Sequence, residues 1–210
     1  LRAAPSGSPG IGGPPAAAGY NSRSILPGAL SRPFLIPSRG FANMTIKIGD
    51  RLPDATLTEF VEVEGNGCSI GPNAFKVADL VKGKKIAIFA LPGAFTPTCS
   101  AKHVPSYVQH HDALKAKGID EIWCVSVNDA FVMGAWGRDQ KSGGKVRMMA
   151  DGSAEFTRKL GLELDLTARG MGVRSDRYSM LVEDGVVRQL NREAPGKFEV
   201  SDAATLLGQL

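Results

Sequence analysis

The chain has 210 residues, 43% of them hydrophobic, enough for one ordinary domain with a sizeable core and some sequence to spare. Its formal charge of +4 is unevenly placed, because the four arginines of residues 1–43, with no acid among them, account for the whole excess of 25 basic over 21 acidic residues. The remainder is neutral, lacks a basic stripe for a phosphate backbone and has no apolar run near the ~20 residues of a membrane span, so neither nucleic acid nor a bilayer is an expected partner.

Residues 1–43 are rich in Ala, Gly, Pro and Ser and show no period that could bury a face, which is the composition of a disordered transit peptide. Arg39-Gly40-Phe41-Ala42 resembles a mitochondrial processing site and favours the mitochondrial matrix, while the many prolines and glycines suit a chloroplast leader as the alternative. The folded domain is expected over 44–210.

Within it, Lys84-Lys85 followed by Ile86 to Leu91 reads as a buried strand, and Glu121 to Val127 as another. Between them, Cys99 to Lys117 has helical spacing and stops at Gly118, with a kink expected at Pro105. Strand, helix, strand at this length is a βαβ unit with parallel strands. Further on come a helix over about 131–140, a strand over 146–150 and a helix over 154–160 closed by Gly161. The strands 178–183 and 186–190 form a hairpin around Asp184-Gly185, and a last helix is capped by Ser201 or Asp202. The expected fold is α/β and thioredoxin-like, a central mixed sheet with flanking helices.

The three cysteines do not make a disulfide framework, and no Cys-x-x-Cys pair is present. Cys99 stands where the first strand gives way to the helix. A cysteine in a first helical turn faces unpaired backbone N–H groups and the positive end of the dipole, which favour a thiolate nucleophile. Three residues earlier a dithiol enzyme would need a second cysteine; Thr96 is there instead, and its hydroxyl can bond the thiolate and a bound substrate. His103 shares the helix face of Cys99, but no ligand set of suitable spacing accompanies it, His110 and His111 included, so no metal is expected. Trp136 and Phe131 read as apolar packing or subunit contact. Cys68 lies in a Gly-rich loop and reads as a bystander or a thiol that mixes with glutathione.

The string Pro92-Gly93-Ala94-Phe95-Thr96-Pro97-Thr98-Cys99-Ser100, with Val127-Asn128-Asp129-Ala130-Phe131-Val132 and Arg174-x-x-Arg177-Tyr178-Ser179, resembles the type II, or peroxiredoxin-5, group of the peroxiredoxins, and the likeness spans the whole domain. That resemblance implies a thiol-dependent peroxidase without cofactor, acting on hydrogen peroxide and organic hydroperoxides through a Cys99 sulfenic acid. It assigns Pro92 to shielding the thiolate, Thr96 and the amides of Thr98 and Cys99 to binding peroxide, and Arg177 to stabilising thiolate and leaving oxygen. Arg174 and His103 are expected behind them. The plant members use a cysteine at the spacing of Cys124 to resolve the sulfenic acid, whereas the animal members use one near the C-terminus, where this chain has none. An inward strand cysteine is equally well a core residue, and both readings of Cys124 stand. Glutaredoxin with glutathione, or thioredoxin, is the implied reductant, and a homodimer the implied assembly. A redox sensor or oxidant-dependent chaperone on the same residues is the alternative to a turning-over enzyme.

Overall fold

The computed structural model describes residues 45–62 and 70–210, so the leader and Cys68 lie outside the described residues. In chain order the elements are β1 (Thr56–Val61), β2 (Gly71–Lys76), α1 (Val77–Leu80), β3 (Lys85–Leu91) and a π-helical turn (Cys99–His103). That turn runs into α2 (Val104–Gln109), followed by α3 (His111–Ala116), β4 (Glu121–Ser126), α4 (Ala130–Asp139), β5 (Arg147–Ala150) and α5 (Glu155–Leu160). Then come β6 (Glu163–Leu166), a 3-10 turn (Thr167–Arg169), β7 (Gly172–Ser175), β8 (Tyr178–Glu183), β9 (Val186–Arg192) and α6 (Ala203–Leu207).

The run Ile86–Leu91 is inaccessible at every residue, as a strand covered on both faces must be. Alternation divides it: Ala87, Phe89 and Leu91 face one core with side chains of α2, α3, α4 and α6, whereas Ile86, Ile88 and Ala90 face a second core with α1 and α5. The main sheet runs β2-β1-β5-β4-β3-β8-β9; β3, β4 and β5 are parallel, and the strands outside them pair antiparallel, while β6 and β7 make a small separate ladder. This is the expected thioredoxin-like α/β arrangement. The β8–β9 turn has φ of 46° at Asp184 and 76° at Gly185, the left-handed pair that a two-residue hairpin of this twist requires.

Two sequence expectations are corrected. The helix expected from Cys99 to Lys117 begins earlier, at Pro97, and is not continuous. Pro105 has no N–H to return to Ala101, and the backbone takes a wider turn just ahead of it, Val104 donating to the Cys99 carbonyl five residues back. The chain stays helical through Pro105 to Gln109, and the break comes at His110, with φ −93° and ψ 9°. The β1–β2 hairpin and the β6–β7 ladder are additions. Only Leu57 of β1 is fully buried, and β2, whose burial alternates, opens with Gly71-Pro72, tolerated at a sheet edge but poor as a strand signal in sequence.

Candidate active site

The chain leaves the buried end of β3 at Leu91 and turns through Pro92 to Phe95 before entering the helix. Gly93 is buried in this loop, and a Cβ there would lie 3.2 Å from Arg174 Nη1 and 3.3 Å from Thr96 Cγ2, so a larger residue would press on both side chains. Ala94 N–H donates to Asn128 Oδ1 (2.9 Å), and Ser126 Oγ donates to the same oxygen (2.8 Å). Arg174 donates to the carbonyls of Met171 (2.7 Å) and Val127 (3.1 Å), bracing the loop that carries Asn128. Thr96 Oγ1 donates to the Gly93 carbonyl at 2.8 Å. Arg174 therefore acts on the backbone around the site rather than on Cys99. Pro92 is partly exposed at the start of the same loop.

Pro97, Thr98 and Cys99 form the first helical turn, and Ser100 N–H already donates to Thr96 O (3.0 Å). The amides of Thr98 and Cys99 have no hydrogen-bond acceptor among the described residues, as expected of a helix start. Ser100 Oγ accepts from the indole of buried Trp136 on α4 (3.1 Å), which ties the turn to the core, so Trp136 is packing, whereas Phe131 is 64% exposed.

Arg177 enters from the segment between β7 and β8. Its Nη2 donates to Cys99 Sγ at 3.4 Å and its Nη1 to His103 Nδ1 at 3.0 Å. The acids near it in sequence are engaged elsewhere, Asp176 by Arg192 (2.8 Å) and Glu183 by Arg188 (3.2 Å). An arginine is a permanent donor, so His103 must accept at Nδ1 and carry its proton on Nε2, which donates to the Ser201 carbonyl (3.1 Å). Burial first, and the Arg177 charge second, lower the His103 pKa to about 3 and keep the ring neutral. Both ring nitrogens are thus occupied, while His110 bonds Ser106 and His111 bonds Asp112; the three histidines do not converge on a metal.

Cys124 lies opposite Phe89 in β3 and Met148 in β5, fully buried in the core that also holds Cys99, and both are free thiols. Burial, with Cys99 as the lesser contributor, pushes the Cys124 thiol up, so in this closed arrangement it is neutral and shielded. Sequence reasoning passed over Asn128 as a brace, Ser201 and Phe198. Ser201 acts through its main-chain carbonyl, for which a sequence carries no signal.

The redoxin family model matches residues 47–207. Peroxiredoxin-2E, chloroplastic, of Arabidopsis thaliana is 49% identical over 168 residues, covering 79% of this chain and 70% of its own. The crystal structure of reduced Prx3 in complex with H2O2 from Vibrio vulnificus superimposes with a TM-score of 0.73 at 49% identity, over 79% of this chain and 99% of that one. The chain belongs to the type II peroxiredoxins. Peroxiredoxin-2F, mitochondrial, of Arabidopsis thaliana is a further relative, 40% identical over 178 residues, covering 83% of this chain and 88% of its own. Thiol-dependent peroxidase activity, with a peroxide as substrate and a thiol as reductant, comes with membership of the peroxiredoxins.

The neutral histidine is expected to make the fold of this peroxiredoxin acid-sensitive. An imidazole that ionises near 6.5 in the unfolded chain but near about 3 in the fold takes up a proton on unfolding, so acidification below about 6.5 costs stability, by up to ~1.4 kcal/mol per pH unit. Glu121, which burial pushes up but hydrogen bonds from Lys84, Trp123 and Arg147 pull down to about 2, adds to this only below its ordinary value of 4.5. Between about pH 7 and pH 5 the melting temperature is therefore expected to fall, and to fall less in His103→Gln. Equal slopes in the two proteins would remove His103 from the account.

Proposed function

We propose that this enzyme reduces hydrogen peroxide and organic hydroperoxides by attack of the Cys99 thiolate on the terminal peroxide oxygen. The S–O bond forms as the O–O bond breaks, the leaving oxygen takes a proton and departs as ROH or water, and Cys99 becomes a sulfenic acid. The observation that carries this reading is the 3.4 Å contact of Arg177 with Cys99 Sγ, beside two amides without acceptors. Those amides, of Thr98 and Cys99, supply donors for a peroxide oxygen, and Arg177 meets the charge that grows on the leaving oxygen. The Thr96 proton is committed to Gly93, so its hydroxyl offers lone pairs and accepts from the peroxide O–H. Pro92 narrows the mouth and limits water. Arg174 and His103 hold these groups in place.

Regeneration proceeds through a Cys99–Cys124 disulfide reduced by thioredoxin, or by direct reaction with glutathione and glutaredoxin. The shared core location supports the first route. It also requires the helix start to unwind, because a disulfide needs Cα atoms within ~7 Å and a thiolate on the attacking side. Mass spectrometry after one equivalent of peroxide tests both steps: a dimedone adduct on Cys99, or a Cys99–Cys124 disulfide, is expected, and peroxide oxidation that spares Cys99 would overturn the reading. Cys124→Ser should leave the first oxidation fast, lower thioredoxin-dependent turnover and spare the glutaredoxin route. Equal thioredoxin rates would instead make Cys124 a core residue only.

A homodimer is proposed to assemble beside the site, where Phe95 is 56% and Phe131 64% exposed. Residues 1–43 are proposed as a transit peptide directing the 44–210 domain to an organelle. The mitochondrion is favoured by the Arg39–Ala42 pattern, and the chloroplast is the alternative, since relatives carry both designations.

A further inference from the structure

Arg177 can serve Cys99 only if its guanidinium is held, and the groups that hold it come from a stretch of chain outside the peroxidatic loop. Its Nη1 rests on His103, its Cζ lies 5.7 Å from the Phe198 ring centroid, and the Phe198 ring lies 4.9 Å from that of His103. The His103 tautomer that accepts from Arg177 is set in turn by the Ser201 carbonyl, which also accepts from Tyr107 Oη at 2.9 Å. Phe198 and Ser201 both belong to the segment between β9 and α6. Most of that segment faces solvent: Ala194 to Lys197, Glu199 and Val200 are exposed.

One side chain folds this exposed stretch back onto the site. Glu193 is only 8% exposed, and its Oε1 accepts from the N–H groups of Glu199, Val200 and Ser201 and from Ser201 Oγ, each at 2.8 Å. Its own N–H donates to the Arg177 carbonyl at 3.0 Å, so the anchor is registered against the residue it serves. No Lys or Arg pairs with it among the described residues; three main-chain N–H groups and the Ser201 hydroxyl receive the carboxylate. A buried carboxylate solvated in this way defines the path of the loop, because removing it leaves three amides without an acceptor.

We propose that Glu193 and Phe198 are positioning residues for the peroxidase reaction, Glu193 pinning the 193–201 loop and Phe198 supplying the face on which Arg177 and His103 rest. The proposal rests on the assignment of Cys99 as nucleophile and Arg177 as its partner. It is tested in the full-length protein with Glu193→Ala, Glu193→Gln and Phe198→Leu, by single-turnover reaction with hydrogen peroxide, melting temperature and the rate of Cys99 alkylation by iodoacetamide. Glu193→Ala and Phe198→Leu should each slow the peroxide reaction at least ~10-fold per folded molecule, as expected when a catalytic group loses its alignment. Glu193→Gln should recover most of the rate, since an amide oxygen can still accept from the three N–H groups. A merely structural role would lower the melting temperature while folded protein reacts at the wild-type rate, and that result overturns the proposal. Should Glu193→Ala fail to fold, Phe198→Leu decides by the same criterion with the anchor intact. Cys99→Ser separates the two levels: turnover surviving in that variant defeats the nucleophile assignment, whereas its loss alongside wild-type rates in the Glu193 and Phe198 variants defeats only the positioning proposal.

Discussion

Cys99→Ser is expected to abolish peroxide turnover with either reductant while leaving the fold in place. Serine keeps the shape of the side chain within the core that surrounds it, and Arg177 Nη2, 3.4 Å from the sulfur, can donate to the new hydroxyl oxygen, so no polar group is left stranded. What is lost is the nucleophile, because an alcohol is not ionised at neutral pH and does not displace an oxygen from a peroxide bond as sulfur does. Steady-state peroxide consumption beside a circular dichroism spectrum and a melting curve checks both halves. Turnover near wild type in a folded variant would defeat the assignment of Cys99, and with it the sulfenic acid route.

Arg177→Lys is expected to slow the reaction with peroxide by at least ~10-fold, equivalent to ~1.4 kcal/mol of barrier. The charge survives this change but the fork does not. One planar guanidinium reaches Cys99 with Nη2 and His103 with Nη1 while its Cζ lies over the Phe198 ring, and a single ammonium cannot hold all three relations at once. A lysine here would also stand beside a neutral, buried imidazole with less direction to its hydrogen bonds. Stopped-flow measurement of the first oxidation, before any reductant enters, isolates this step. An unchanged rate constant would shift the role to another cation, and Arg174 is poorly placed for it, since its donors go to the carbonyls of Met171 and Val127.

Much of this was legible in the chain. The continuous apolar run Ile86–Leu91 reads as a doubly covered strand, and Asp184-Gly185 between two strand-like runs reads as a tight hairpin. Elements with mixed signals were not legible. β2 begins with residues that strands avoid, β7 opens on glycine without alternation, and β6 alternates over Glu163-Leu164-Asp165-Leu166 but for only four residues, the shortest run in which a strand can be read. Pro105 announced the wider turn just ahead of it, as a proline inside a helix does, whereas the break at His110 stands at no proline or glycine and left no signal.

The site divides in the same way. The sequence by itself determined the setting of the proposed nucleophile: a cysteine in the first turn of a helix that follows a buried strand, a threonine in place of a second cysteine, and a proline and glycine in the loop between. These are consequences of local chain geometry, which neighbouring residues dictate. The resemblance named Arg177, but only the tertiary structure put it against the sulfur, made His103 neutral and an acceptor from Arg177, and set Cys124 in the core of Cys99 rather than the opposite one. Arg177 and Cys99 lie 78 residues apart, and Cys124 joins the core that holds Cys99 through the register of β4 on β3, which sets it opposite Phe89. Contacts at that separation depend on how strands pair and which face each side chain takes, and a one-residue slip in register would invert them.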